Sequence, residues 1–419
     1  MYKYLVALVL TTPWIGVFLL EGGEYGATIG MYGYPNGATI AYGCYAVTVA
    51  LVAWLARGRP GRARPALQTD ARKIDARLQV FGTNLLFVNA AFLVVFLFGF
   101  GAIQVWAGAV GKGEFRTELG SFGAIPNLMA KFILPALLAY AAALFRRSSK
   151  STRLRWLLGA NFALLFVIGA SWGFKTTALI VLLPAILLIY WRVTIFQMLR
   201  LVLLFVLAIV AFFYQYDVDV ETYAEVHTFL LTRITVIQGD VSWLVWDKYI
   251  NDEEFPAYAP TLLAAVGDKV LTLFGLSRGE FYEWMLFHYD LMITYIAGVP
   301  LDQIADGHSI TATPFSEGLV AGGVGGVAFF ALLGGLLVGR MYAFIERSLR
   351  QGHEARAAVG ASYFCFYIFA WLNGGAVVQL IHISAWVALL ATLFAFKAMQ
   401  LLGRRTQARP IPPAAPAAA

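Results

Sequence analysis

Long runs of apolar residues, separated by short polar segments, dominate the pattern of this 419-residue chain. Ten such runs have lengths of about 16 to 27 residues, close to the ~20 residues with which an α-helix crosses the hydrocarbon core of a bilayer. Because a segment inside lipid must satisfy its own backbone hydrogen bonds, each run predicts a transmembrane helix. The predicted helices cover residues 4–20, 38–56, 80–100, 127–145, 156–171, 176–191, 199–216, 316–343, 357–373 and 378–396.

A polar and aromatic segment interrupts this pattern late in the chain, and a tail rich in Pro and Ala, predicted to be disordered, follows the last run. The predicted fold is all-α, with about ten transmembrane helices and one large helical insert. Its parts are helices 1–7 (residues 1–216), the insert (217–312), helices 8–10 (313–400) and the tail (401–419). Stretches of the insert with helical periodicity, whose Trp and Tyr content fits helices lying on a membrane surface, are 221–250, 261–275 and 280–298.

Composition and charge agree with this organisation. Hydrophobic residues make up 60% of the chain and charged residues 13%, whereas about 25% of a soluble domain is charged. Lys and Arg are retained on the cytoplasmic side of short loops, and placing the N-terminus inside assigns 23 of the 31 basic residues to that side beside four acidic ones. Both termini are therefore predicted to be cytoplasmic and the insert to lie outside. The net charge of +7 then reflects topology, and no nucleic-acid partner is expected.

Sequence motifs exclude several kinds of chemistry. The chain has no P-loop, no G-x-G-x-x-G after a strand, no H-E-x-x-H and no paired-cysteine motif. Cys44 and Cys365 both fall inside predicted spans. We therefore predict neither a metal nor a cofactor.

Cations on the predicted outer side are the first candidates for a binding site. Lys175, in G-A-S-W-G-F-K, lies between two spans with almost no loop, and Lys131 also lies at a span end. A charge there either meets an anion or snorkels to the interface. Arg116 has acidic neighbours, which equally fit a surface ion pair. Arg233 follows an apolar helical stretch, and Arg278 precedes a predicted helix, where a simple turn residue is the alternative.

The second group of candidates lies where the insert enters the eighth span, in DGHSITATPFSEGLVAGGVGG (306–326). His308 is suited by the usual pKa of histidine to accept a proton from a hydroxyl group, although an ordinary solvated histidine fits the same position. Pro314 and Ser316 mark the start of a helix. Glu317 lies in its first turn, where the helix dipole alone would explain a carboxylate.

Glycines recur every four residues in the same segment. Small residues at this spacing are typical of close helix packing, so we expect them to admit a neighbouring span next to the site. They are Gly318, Gly322 and Gly326.

The layout resembles the bacterial O-antigen and exopolysaccharide repeat-unit polymerases of the Wzy type. Shared features are the many spans, one large outer insert late in the chain, a basic residue above a central span, and an insert that ends in His-Ser…Thr-Pro…Ser-Glu-Gly before a glycine-rich span. The resemblance covers most of the chain in layout. This sequence has Lys175 where an arginine is more usual, and the related O-antigen ligases share both the plan and the histidine.

The resemblance implies a glycosyltransferase of the bacterial inner membrane whose active site faces the periplasm. The donor would be a growing glycan on undecaprenyl diphosphate, and the acceptor a lipid-linked repeat unit. His308 would be the base, with Glu317 second. The further partners that the resemblance implies are the lipid bilayer and a chain-length regulator protein. The cations expected to stabilise the leaving diphosphate without a metal are Arg233, Arg278, Lys175 and Arg116.

Three alternatives stay open. A ligase that joins polymer to lipid A core would use the same chemistry on another acceptor. A metal-dependent glycosyltransferase using lipid-phosphate sugars would place acidic residues in the first outer loop, where Glu21 and Glu24 occur. A flippase or transporter should show charged residues within its spans, where its substrate would pass. Few occur there, and His382 is the candidate for such a residue, with hydrogen-bonded packing as its other interpretation.

Overall fold

Within the residues that the computed structural model describes, seven helices are long and apolar enough to cross a membrane. This confirms the prediction of an all-α, polytopic membrane protein and matches predicted spans one to five, eight and nine. The sixth and tenth predicted spans correspond to shorter apolar helices, Thr177–Ile189 and Ile383–Met399. The seventh lies almost entirely outside the described residues. These are residues 1–58, 71–107, 109–110, 115, 119, 123–172, 175–200, 203, 207, 232, 235–253, 255, 266, 298, 312–375 and 377–407, with side chains left out at 124, 175, 176 and 400–407.

Most of the described residues are helical, and three helices contain π-helical turns. A hairpin of two-residue strands pairs Tyr25 with Tyr32 and follows the first helix. The elements in chain order are α1 (Tyr2–Glu21), β1 (Tyr25–Gly26), β2 (Met31–Tyr32), α2 (Ala38–Ala56), α3 (Ala71–Val94), π1 (Val95–Gly99), α4 (Ile103–Trp106), α5 (Ala124–Leu128), π2 (Met129–Ile133), α6 (Leu134–Arg147), α7 (Thr152–Ala170), α8 (Lys175–Ile180), α9 (Leu183–Ile189), α10 (Val236–Ile250), α11 (Pro314–Gln351), α12 (Glu354–Tyr363), π3 (Phe364–Ile368), α13 (Phe369–Gly374), α14 (Val378–Ile381) and α15 (Ile383–Gln407).

Helix α6 lies at the centre of the bundle. Its residues from Leu134 to Leu144 are all buried, and it packs against α3, α7, α9 and α12. The sequence LPALLAYAAAL is rich in alanine, whose small side chain lets neighbouring helices approach closely. Outer helices instead expose apolar side chains, such as Phe87 of α3 (70% exposed) and Trp156 of α7 (76% exposed). These faces fit contact with lipid.

The two ends of the bundle differ in charge. At one end, which we call the basic end, the N-terminal ammonium of Met1 donates to the carbonyl of Trp191, and Arg147 of α6 pairs with Glu354 of α12. The opposite, acidic end contains the end of α1 at Glu21, helix α10 and the start of α11. Described acidic residues there are Glu21, Glu24, Asp240, Asp247, Asp252, Glu253 and Glu317.

Helix α10 crosses α1 at a pair of glycines. A Cβ atom at Gly16 would lie 2.4 Å from the Thr235 carbonyl oxygen, and one at Gly239 would lie 2.4 Å from the Val17 nitrogen. The prediction of a surface helix over 221–250 is therefore wrong for residues 236–250. One face of α10 is buried against protein, and Trp243 at its middle is fully buried.

Helix α11 is broken near its start. Gly323 has φ +58°, which favours glycine, and the backbone of Gly322 is also non-helical. The first two turns therefore fold back: Gly318 and Gly326 meet, and a Cβ atom at Gly326 would lie 2.1 Å from the Gly318 carbonyl oxygen. The expectation that these glycines admit another span is wrong, because they pack against each other. Gly335 and Gly339 farther along α11 instead contact α2.

Candidate functional site

A lysine packed on a tryptophan lies at the acidic end. The ammonium of Lys131, in π2, is 5.1 Å from the ring centroid of Trp172, an arrangement in which the ring quadrupole attracts the cation. Phe96 and Phe115 lie 5.0 and 6.5 Å from the same tryptophan, centroid to centroid. The indole is 3% exposed. We call Phe96, Phe115, Lys131 and Trp172 the Lys131–Trp172 cluster.

This cluster brings distant parts of the sequence together. Phe115 immediately precedes Arg116, and Trp172 lies three residues before Lys175, which begins α8. Of the predicted cations, Lys131 is the one that the described residues place in this cluster. Arg116 and the side chain of Lys175 lie outside the described residues.

Local packing explains how α8 reaches this position. Helix α7 ends at Ala170 and α8 begins at Lys175, which confirms the nearly absent loop between these helices. A Cβ atom at Gly169 would lie 2.7 Å from the Ala178 Cα, so glycine permits the close return of the chain. The Ser171 hydroxyl accepts a hydrogen bond from the Trp106 indole at 3.0 Å and ties this turn to α4.

The indole N–H of Trp172 is an unsatisfied donor within the part of the chain that the structure describes. Its nitrogen is buried and has no hydrogen-bond partner among those residues. An indole N–H and an ammonium are both donors without acceptor capacity. The cluster therefore holds two donor groups of the kind that bind anionic oxygen atoms.

Glu317 occupies a buried position at the start of α11. Its carboxylate accepts hydrogen bonds from the Val377 N–H at 3.0 and 3.1 Å and from the Trp371 indole at 3.3 Å. Gly375, with φ +74°, presses against the backbone of Thr313 nearby. Glu317 is 0% exposed. Through these hydrogen bonds it holds the first turn of α11 against the loop between α13 and α14. We call Glu317, Trp371 and Val377 the Glu317 seat.

Hydroxyl groups fix the entry of the chain into α11. The helix begins at Pro314, as predicted, with Thr313 as its N-cap. Thr313 donates its N–H to the Ser316 hydroxyl at 3.1 Å, and its own hydroxyl lies 2.9 Å from that of Ser242 in α10. The insert therefore rejoins the bundle at Thr313, a hydrogen-bonded point of the acidic end five residues after His308 in sequence.

Two aspartates of α10 anchor the loop that follows α1. Asp247 accepts hydrogen bonds from the Tyr34 hydroxyl at 2.6 Å and from the Asn36 amide at 3.1 Å. Asp240 is 0% exposed and accepts the Thr28 N–H at 3.1 Å. Burial raises the pKa of Asp240 to about 6, because a carboxylate loses hydration inside protein. Their common role is to join the first outer loop to the insert.

The raised pKa of Asp240 predicts a pH-dependent stability. The folded protein holds this proton more tightly than the unfolded chain, so the group's stabilisation is complete below about pH 4 and is lost as the pH rises to about 6. The linkage amounts to about 3 kcal/mol between these limits. The Asp240→Asn variant has no carboxyl proton to lose, so its stability should lack this pH dependence. The melting temperatures of wild type and variant are compared from pH 4.5 to 7.5, and that of the wild type should fall relative to that of the variant as the pH rises. A difference that does not change with pH would contradict the prediction.

Sequence reasoning identified some members of this region and missed others. His308, Arg233, Arg278 and Arg116 lie outside the described residues, so their roles stay predictions. The ring partner of Lys131 and the two anchoring aspartates were missed. Asp240 and Asp247 are seven residues apart and therefore share a helix face, which was the available signal.

The described residues also bear on metal binding. No group of three or more His, Cys, Asp or Glu side chains within them is arranged to hold a metal ion. Metal independence itself stays a prediction.

Comparison of the chain with protein-family models, with curated proteins and with solved structures finds no match.

Proposed function

We propose that this membrane protein is a polysaccharide polymerase. It transfers a growing glycan from undecaprenyl diphosphate to a hydroxyl group of a lipid-linked repeat unit, without a metal. The observation that carries the proposal is the Lys131–Trp172 cluster, because it places an ammonium and an indole N–H side by side at the acidic end. The layout of the sequence, with its insert and its His-Ser…Ser-Glu-Gly exit, supports the same assignment.

The charge difference between the ends of the bundle supports the orientation. Lys and Arg stay on the cytoplasmic side of short loops, so the basic end faces the cytoplasm. The acidic end, with the Lys131–Trp172 cluster and the entry of the insert, then faces the periplasm from the bacterial inner membrane. This is the leaflet at which we expect lipid-linked repeat units and, as a further partner, a chain-length regulator.

The reaction is a substitution at the anomeric carbon of the donor glycan. The acceptor hydroxyl oxygen forms a bond to that carbon, its proton passes to His308, and the bond between carbon and diphosphate oxygen breaks. Negative charge develops on the departing diphosphate, where fixed cations and N–H donors stabilise the transition state. Lys131, Lys175, Arg116 and the Trp172 indole supply these groups. Arg233 and Arg278, from the insert, complete the proposed set.

Glu317 and His308 take different parts in this proposal. The Glu317 carboxylate is buried and accepts hydrogen bonds from Trp371 and Val377, which favours a positioning role over proton transfer. The first turn of α11, which Glu317 holds, follows directly on the end of the insert in sequence. We therefore propose that Glu317 helps to position the segment that carries His308. His308 is the base in our proposal.

The cation of the cluster gives a direct test. Lys131→Met removes the ammonium while keeping an unbranched side chain, and we expect kcat/KM for the lipid-linked donor to fall about tenfold or more, the usual effect of losing a charged hydrogen-bond partner. Elongation rates at varied donor concentration measure it. Lys248→Met is the matched control, since Lys248 also lies at the acidic end but does not belong to the Lys131–Trp172 cluster. Equal changes in kcat/KM in both variants, or none in Lys131→Met, would refute the role of the cluster.

A further inference from the structure

Four arginines lie around Tyr342 and Glu346 of α11 at the basic end. Arg192 and Arg350 both contact the same oxygen of Glu346, at 3.7 and 2.5 Å. The guanidinium of Arg57 lies 4.7 Å from the ring centroid of Tyr342, one turn before Glu346. Arg146 interacts electrostatically with both Arg192 and Glu346. We call these four arginines, with Tyr342 and Glu346, the arginine cluster.

The cluster is assembled from separate parts of the fold. Arg57 follows α2, Arg146 ends α6, Arg192 follows α9, and Arg350 lies in the last turn of α11. Tyr342 stacks on Trp191 with centroids 5.2 Å apart, and this contact holds the neighbouring Arg192 beside α11. Tertiary packing thus brings these four arginines together. An excess of basic residues in the loops would not by itself produce such a cluster.

Charge in the cluster is poorly compensated by the described residues. Of the four guanidinium groups, those of Arg192 and Arg350 contact the carboxylate of Glu346, whereas that of Arg57 lies over the Tyr342 ring. Moreover, Nη1 of Arg146 is buried and has no hydrogen-bond partner among the described residues. Guanidinium groups are planar and bind phosphate oxygens in pairs, so the cluster has the charge and donors for a phosphate group.

We propose that the arginine cluster binds the phosphodiester headgroup of an anionic phospholipid from the leaflet at the basic end. The position favours lipid as the source of the phosphate, because the cluster lies at the ends of membrane-crossing helices, at the depth of the headgroups. Exposed apolar side chains continue from it into the bilayer: Trp54 (68% exposed) precedes Arg57 by one turn, and Phe196 (74% exposed) follows Arg192. These would contact acyl chains. The inference is independent of the proposed function.

The test measures lipid binding to the purified, full-length protein in a neutral detergent. Dioleoyl phosphatidylglycerol, dioleoyl phosphatidylcholine and inorganic phosphate are each titrated, and retained lipid is counted by native mass spectrometry beside the thermal unfolding midpoint. We expect only phosphatidylglycerol to be retained and to raise the midpoint. The double variant Arg57→Gln, Arg192→Gln should bind it roughly thirtyfold more weakly, as expected for two arginines near an anionic headgroup.

The matched control is Arg153→Gln with Arg356→Gln, two exposed arginines of the same end, for which affinity should stay within about twofold because neither belongs to the cluster. Equal retention of the two lipids, or equal loss in the two double variants, would overturn the proposal. A midpoint raised as much by inorganic phosphate would overturn the lipid assignment. Arg350→Gln, which leaves Glu346 paired with Arg192, gives the same comparison if the double variant does not fold.

Discussion

Gly326→Ala is expected to destabilise the protein by about 3 kcal/mol, because the added Cβ atom meets backbone that has no room to move. That atom would lie 2.1 Å from the Gly318 carbonyl oxygen. The first turns of α11 would have to separate from the rest of the helix, which would also disturb the Glu317 seat and the entry of the insert. We therefore expect a lower unfolding midpoint in detergent and shorter polymer in cells.

Gly325→Ala provides the control for this substitution. A Cβ atom at Gly325 meets nothing within 4 Å, and alanine is the better helix former by up to ~1 kcal/mol. This variant should be as stable as the wild type or slightly more stable. An unfolding midpoint for Gly326→Ala equal to that of Gly325→Ala would show that the fold-back is wrong.

His308→Ala is expected to abolish long-chain polymer while the protein stays folded in the membrane. In the proposed mechanism this variant has no base to accept the proton of the acceptor hydroxyl, and general-base catalysis typically contributes 10²- to 10⁴-fold to a rate. Polymer length, resolved by gel electrophoresis of surface polysaccharide, reports the effect. Membrane abundance of the variant, measured in the same cells, separates loss of chemistry from loss of protein.

His353→Ala is the matched control, because this histidine is exposed and lies at the basic end, before α12. We expect wild-type chain lengths from it. Normal chain lengths in His308→Ala would remove that residue from the mechanism.

The membrane-spanning architecture could be predicted because lipid imposes a simple rule on sequence. A segment such as Ala38–Ala56 must be apolar and helical regardless of its neighbours, and the structure has it where the hydrophobic run predicted it. The start of α11 was equally predictable, because Thr313, Pro314 and Ser316 are local signals for a helix N-terminus.

Features that depend on tertiary contacts could not be predicted in the same way. Gly318 and Gly326 have the spacing of a helix-packing motif, and only the non-helical backbone at Gly323 turns them toward each other. Likewise, the pairing of Lys131 with Trp172 joins residues 41 positions apart. Periodicity within one helix carries no information about such a pair.

The buried face of α10 illustrates the same limit. Trp and Tyr residues suit either a membrane interface or a packed protein interior, so their presence in 236–250 did not distinguish the two. Gly239, which permits the contact with Gly16, looks like any other glycine in the sequence. The contact between Gly16 and Gly239 becomes evident only when the positions of α1 and α10 relative to each other are known.

The central claim is that the protein elongates a lipid-linked glycan with its own cations. The most direct test incubates the purified protein in detergent with a synthetic undecaprenyl-diphosphate-linked repeat unit, in the presence of a chelator, and resolves the products by size. We predict a ladder of products that differ by one repeat unit. Absence of a ladder would contradict the claim: transfer onto lipid A core would then identify a ligase, and no reaction with any such donor would favour a transporter.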